Sequence, residues 1–188
     1  MTLPERHFIL GGQKSGKSRS AELHAAGWLS AAPTHRAVLI ATATAWDDEM
    51  RARIARHQAD RAERVPGLRT VEEPLTLAQT LAAHSAPDTM VVVDCLTLWL
   101  TNLLMPMAMQ GAAPDAPQGI VGLISALRDA RGPVVLVGNE IGLGVIPLGR
   151  EVRAFVDALG QLNQAVAAAC DRVTLMAAGL PITLKEPA

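Results

Sequence analysis

An apolar run, Phe8-Ile9-Leu10, passes directly into Gly11-Gly12-Gln13-Lys14-Ser15-Gly16-Lys17-Ser18, and Arg19-Ser20-Ala21-Glu22-Leu23 then reads as the start of a helix. Strand, glycine loop and helix in that order are the setting a P-loop requires. The glycines let the backbone curl so that successive N–H groups point inward, and the first helical turn adds its positive dipole end. In such a loop Lys17 would reach the β- and γ-phosphates of a nucleoside triphosphate, and the Ser18 hydroxyl would ligate Mg²⁺. The plain alternative is a glycine turn carrying a surface lysine and serine, and the flanking strand and helix argue against it.

The rest of the chain repeats the same alternation. Val38 to Thr42, Leu68 to Val71, Met90 to Asp94, Val134 to Val137, Arg172 to Met176 and Leu180 to Leu184 read as further strands. Two of them, Met90 to Asp94 and Val134 to Val137, are continuously apolar rather than alternating, the pattern of strands covered on both faces. Pro181 consigns the last strand to an edge. Helices are expected at Ser18 to Leu29, Asp47 to Arg64, Leu75 to His84, Leu96 to Met105, Ile120 to Arg131 and Arg150 to Cys170. This order predicts a three-layer α/β fold with a mostly parallel central sheet and right-handed crossovers. Pro106 to Gly119, rich in Pro, Gly and Ala, is the expected flexible loop.

Bulk properties narrow the class. A chain of 188 residues fits one domain, 1–188, and 49% hydrophobic residues suffice for a core. Net charge is −1, which gives no global basic field for nucleic acid or an anionic membrane. Cys95 and Cys170 fit no zinc spacing and lie in apolar segments, so they read as buried free thiols. The N-terminus has no secretory apolar region, and no run approaches the roughly 18 residues of a membrane helix. A cytoplasmic enzyme is expected, with no nucleic acid partner and no membrane insertion.

Several segments carry candidate chemistry. Val91-Val92-Val93-Asp94 has the form of a Walker B strand; set beside the P-loop strand, Asp94 would hold Mg²⁺ directly or through water. Along Asp47 to Arg61, Met50, Ile54, His57 and Arg61 share one helical stripe, with Arg53 one turn before His57. Guanidiniums beside a histidine keep it neutral, and neutral imidazole is the form that can attack phosphorus. Asp60 would orient the ring. A solvated arginine-rich helix with a surface histidine explains the same pattern, and composition alone favours it. Glu72-Glu73-Pro74 places a carboxylate at a strand end, suited either to ribose or guanine N–H groups or to a helix-capping turn. Asn139 to Pro147 is either a backbone-lined binding loop or a tight connection.

Taken in order, Gly-Gly-x-x-Ser-Gly-Lys-Ser (11–18), Ile-Ala-Thr-Ala (40–43), Asp-x-Glu-Met-x-x-Arg-Ile-x-x-His-x-x-x-Arg (47–61) and Thr-Val-Glu-Glu-Pro (70–74) form a distinctive series. It continues through Asp-Cys-Leu-Thr-Leu-Trp-Leu-Thr-Asn-Leu-Leu (94–104), Asn-Glu-x-Gly-x-Gly-x-x-Pro (139–147), Arg-x-Phe-x-Asp-x-x-Gly-x-x-Asn-Gln (153–164) and Ala-Gly-x-Pro (178–181). The series resembles the bifunctional adenosylcobinamide kinase/adenosylcobinamide-phosphate guanylyltransferase family of cobalamin biosynthesis, and the likeness runs from Phe8 to Lys185.

The resemblance implies two reactions. ATP or GTP phosphorylates the hydroxyl of adenosylcobinamide; a histidine then attacks the α-phosphate of GTP, and adenosylcobinamide phosphate takes the GMP to give adenosylcobinamide-GDP. The nucleophile carries over to His57, with Lys17 as the catalytic lysine. Nucleotide contacts carry over to Gly11, Gly12, Gln13, Lys14, Ser15, Gly16, Lys17 and Ser18. They include Ala41, Thr42 and Ala43, then Gln58, Ala59, Asp60 and Arg61, and also Glu72 and Asp94. Ser18 and Asp94 are the implied Mg²⁺ ligands, and a RecA-like P-loop fold assembled as a homotrimer is implied with them. Gln13-Lys14 departs from the family's usual small residue and arginine, and Leu68 from a usual tryptophan. Glu140 is the candidate base for the kinase step. A monofunctional kinase of a small alcohol, which leaves His57 idle, and a nucleotide-switched binding module are the competing readings.

Overall fold

The computed structural model describes residues 5–45, 48–106 and 115–187, with the side chains of Met50, Arg53 and His57 set aside. In chain order the elements are β1 (Arg6–Gly11), α1 (Lys17–Ala31), β2 (Arg36–Ala41), α2 (Asp48–Arg64), β3 (Leu68–Glu72), α3 (Leu77–His84) and β4 (Thr89–Asp94). They continue with α4 (Leu96–Leu104), α5 (Ala116–Arg128), β5 (Val134–Asn139), α6 (Arg150–Ala169), β6 (Arg172–Ala177) and β7 (Leu180–Lys185). All seven strands join one sheet in the order β3-β2-β4-β5-β1-β6-β7, parallel except for β7.

Successive strand residues feed opposite faces, which is why the inner strands are apolar without a break. Phe8, Val91, Val93, Val134 and Leu136 pack on one side with α3, α4, α5 and α6. Ile9, Val92, Val135 and Val137 pack on the other with Ala21 and Ala25 of α1. Pro181 lies in β7, an edge strand, and pairs with Met176 of β6. Cys95 and Cys170 are free and buried.

Two expectations are corrected. The Walker B strand β4 does not adjoin β1: β5 lies between them and pairs with both. Covered on both faces, β4 and β5 carry the same pattern, so hydrophobicity alone cannot order them. The helix expected from Ile120 begins instead at Ala116, so Pro117 and Gly119 of the expected loop are helical. Proline is tolerated in a first turn because its N–H would be unpaired there. Gly119 lets α5 approach α4, since a Cβ there would come 3.1 Å from Leu103. Positions 107–114 of that loop lie outside the described residues.

Parallel registry brings the C-terminal ends of the strands to one rim. Glu72 aligns with Ala41, Ala41 with Asp94, and Gly11 with both Asn139 and Met176. Open α/β sheets bind ligands at this rim.

Candidate functional site

The glycine loop leaves β1 at Gly11, whose smallness serves packing. A Cβ there would lie 2.5 Å from the Met176 carbonyl oxygen of β6. Gly16 caps α1 with φ of 97°, the left-handed region that favours glycine. The turn between β6 and β7 props the loop, because Gly179 N donates to Ser15 O at 3.1 Å. Lys17 is 7% exposed and donates from Nζ to Gly12 O at 2.6 Å. Burial holds its ammonium below the usual lysine value, with Cys95 and Asp94 beside it opposing that shift. Ser18 Oγ donates to Asp94 Oδ1 at 3.3 Å across the gap between α1 and β4.

Above this floor opens a cleft of about 540 Å³. The loop residues Gln13 to Ser18, Ala41, Ala43 and Asp94 line it. Gln58, Asp60 and Arg61 of α2, all expected from the sequence, line it too. Arg56, Arg64 and Asn139 line it as well, and no motif had singled out the two arginines. The side chain of His57 lies outside the described residues, and so does the expected role of Asp60 toward its ring; in the helix, position 57 is one turn from Ile54 and from Arg61, both cleft-lining. Cys95 also borders the cleft, but burial, with Asp94 beside it, pushes its thiol up to about 11, so it stays protonated at neutral pH.

Some of the expected contact residues do not line this cleft. Thr42 is fully buried: its Oγ1 donates to Cys95 O at 2.7 Å and accepts from Cys95 N at 2.9 Å. It therefore ties β2 to the start of α4. Ala59 is exposed and does not border the cleft, nor do Gly11 and Gly12. Glu72 borders an adjoining cavity of about 400 Å³ with Ala43 and Gln58, and accepts from Gln58 Nε2 at 3.0 Å.

The two readings of Glu72-Glu73 divide between the residues. Glu73 closes the turn that leads into α3: its Oε1 accepts from Leu75 N at 2.8 Å and Thr76 N at 2.7 Å. Burial alone would raise its carboxyl, but these bonds, with Thr80, outweigh that and lower it. That turn also delays α3 to Leu77. Asn102, 1% exposed, donates to Thr42 O at 2.8 Å and Pro74 O at 3.2 Å, holding together the two loops around the smaller cavity. Glu140 Oε1 accepts from Gly142 N at 2.6 Å, and it is the preceding residue, Asn139, that borders the cleft.

A phosphate-type loop and an arginine-bearing helix bordering one cleft restrict the relatives such a chain can have. A family model described as cobinamide kinase / cobinamide phosphate guanyltransferase matches residues 7–184. The chain belongs to that family. It is 48% identical over 187 residues to the bifunctional adenosylcobalamin biosynthesis protein CobP of Pseudomonas aeruginosa, covering 97% of this chain and 99% of that protein. It is 36% identical over 190 residues to the bifunctional adenosylcobalamin biosynthesis protein CobU of Salmonella typhimurium, covering 95% and 98%. As a member of this family it is a transferase, a kinase and a guanylyltransferase in cobalamin biosynthesis, and neither competing reading is favoured. The crystal structure of the flagellar accessory protein FlaH from Methanocaldococcus jannaschii superposes with a TM-score of 0.53 at 10% identity, over 98% of this chain and 80% of that one. That likeness speaks to the fold alone, a RecA-like P-loop α/β sheet. Among the described residues, no helix is long and apolar enough to cross a membrane.

Proposed function

We propose that this chain, as one domain, runs both family reactions from the single cleft between the glycine loop and α2. The observation that carries the reading is that Lys17, Ser18 and Asp94 share this cleft with Gln58 and Arg61 of α2. In the first reaction the hydroxyl oxygen of adenosylcobinamide attacks the γ-phosphorus of ATP or GTP, its proton leaves to a base, and the nucleoside diphosphate departs. Lys17 and the loop N–H groups neutralise and position the phosphates. In the second, an imidazole nitrogen of His57 attacks the α-phosphorus of GTP, the bond to pyrophosphate breaks, and a guanylylated histidine forms. A phosphate oxygen of adenosylcobinamide phosphate then displaces the imidazole and yields adenosylcobinamide-GDP. Division into two displacements gives each step an activated nucleophile. Arg61 balances phosphate charge, and Glu72 in the adjoining cavity suits the N–H groups of guanine or the hydroxyls of ribose.

The convergence of Ser18 Oγ and Asp94 Oδ1 within 3.3 Å fits Mg²⁺, which prefers hard oxygen donors and keeps water and phosphate as its other ligands. These two residues would hold the ion, and it would supply neutralisation of phosphate charge. The assembly proposed is a homotrimer in the cytoplasm. Leu143, Val145 and Leu148, 82%, 97% and 97% exposed on the loop after β5, support association with further copies.

Incubation with α-labelled GTP tests the covalent step. The wild type should carry an acid-labile, alkali-stable label, while His57→Ala carries none and still phosphorylates adenosylcobinamide. An unlabelled wild type overturns the guanylylated intermediate, and a labelled His57→Ala variant overturns the choice of nucleophile.

A further inference from the structure

Glu22 is a helical glutamate of a kind that usually faces water, yet it is 3% exposed. It sits on α1 one turn beyond Ser18, and both of its ionic partners come from α2. Arg61 Nε lies 3.5 Å from Glu22 Oε1, and Arg64 Nη2 lies 3.1 Å from Glu22 Oε2. Arg61 also donates from Nη1 to Thr70 Oγ1 of β3 at 3.2 Å. Among the described side chains of α2, Arg61 alone is buried. The anchor of that helix is thus a charge, and its counter-charge belongs to the helix that begins with Lys17 and Ser18. The pairing is loose, because Glu22 Oε2 and Arg61 Nε are buried without a hydrogen bond. One carboxylate meets two guanidiniums, and both arginines border the phosphate cleft. Packing does not account for a buried carboxylate at this point; registering α2 against the glycine loop does.

We infer that Glu22 is a positioning residue for guanylyl transfer: it sets α2, with Arg61 and Arg64, against the loop helix, so that the nucleotide and position 57 meet in productive register. The inference rests on the proposed guanylylated His57. It separates the two activities, because the kinase step draws on Lys17, Ser18 and Asp94, which the sheet rim and α1 hold without α2.

Glu22→Gln keeps the shape and removes the charge. Formation of the labelled enzyme from α-labelled GTP should slow about a hundredfold, the scale of a small misplacement of reacting groups. The kcat for adenosylcobinamide phosphorylation should stay near that of the wild type, and Glu22→Asp should recover part of the labelling. Labelling at the wild-type rate, or equal loss of both activities, overturns the inference. Should Glu22→Gln fail to fold, Arg64→Gln removes the exposed partner; its ratio of labelling to phosphorylation must fall, and an unchanged ratio overturns the inference. A wild type that takes no label overturns the histidine reading and this inference with it. A labelled wild type beside an unaffected Glu22→Gln overturns this inference alone.

Discussion

Helices α2 and α4 both border the cleft region, and they are held by opposite means. Helix α4 buries Leu96, Thr97, Trp99, Leu100, Asn102 and Leu103 within nine residues, and Trp99 Nε1 donates to Leu75 O at 2.9 Å. Helix α2 spans seventeen residues, and of its described side chains only Arg61 is buried, against Glu22. Apolar burial is non-directional and strong per residue, so it makes a rigid wall. An ion pair removed from water gains little net stability but ties position to charge. The wall begins just after Asp94, which Ser18 of the glycine-loop helix meets, so it backs the phosphate-binding half of the site, and the charged helix carries the half assigned to α-phosphate chemistry.

That contrast can be broken at either end. The largest effect is expected at Lys17, whose ammonium sits in the rigid half. Lys17→Ala should lower kcat for phosphorylation about 10²–10³-fold, the usual cost of one preorganised charge-stabilising group. Its fold should persist, since removing a partly desolvated charge relieves a penalty. Near-wild-type phosphorylation by this variant would remove the loop from the kinase reaction. Next comes hydrogen exchange measured by peptide mass spectrometry. Amides of 48–64 should exchange at least about tenfold faster than those of 96–104, because few buried apolar side chains guard them. Equal protection would erase the distinction between the two helices.

The smallest effect concerns His7, in the P-loop strand itself. It is 6% exposed, and its Nε2 lies 2.8 Å from Thr174 Oγ1. Burial first, then the neighbouring His24, lower it from 6.5 to about 4, with Glu5 opposing and Arg172 adding. The unfolded chain therefore binds the proton more readily, so stability falls as pH drops below about 6.5 and the loss is complete below about 4. Between pH 7 and 5.5 urea denaturation should register a loss of about 1 kcal/mol from this group. His7→Asn, which gains no proton, should flatten that slope. An unchanged slope would assign the acid sensitivity elsewhere.

Much of this architecture was legible because each element advertises a local cause. The loop from Gly11 to Ser18 needs its glycines and lysine wherever it occurs, and Pro181 marks an edge strand in any sheet. The inner strands could be read from apolar runs, and β3 and β7 from short stretches of β-branched and other apolar residues. Pro117 and Gly119 misled because the same two residues punctuate loops and permit a tightly packed helix start. Thr42 lies within a motif expected to contact nucleotide, and its side chain also serves a joint with Cys95 that no local pattern announces.

What the sequence determined by itself is therefore the set of parts: a P-loop strand and helix, a parallel α/β sheet, an arginine-histidine helix, and a motif series pointing to one family. Only the tertiary structure decided how the parts meet. It put β5 between β1 and β4, gave the turn before α3 to Glu73 and the adjoining cavity to Glu72, and set Glu22 against Arg61. The physical reason is range. Propensity, capping and loop chemistry act over a few residues, whereas strand order and a buried ion pair between residues 22 and 61 exist only once distant segments have excluded water together.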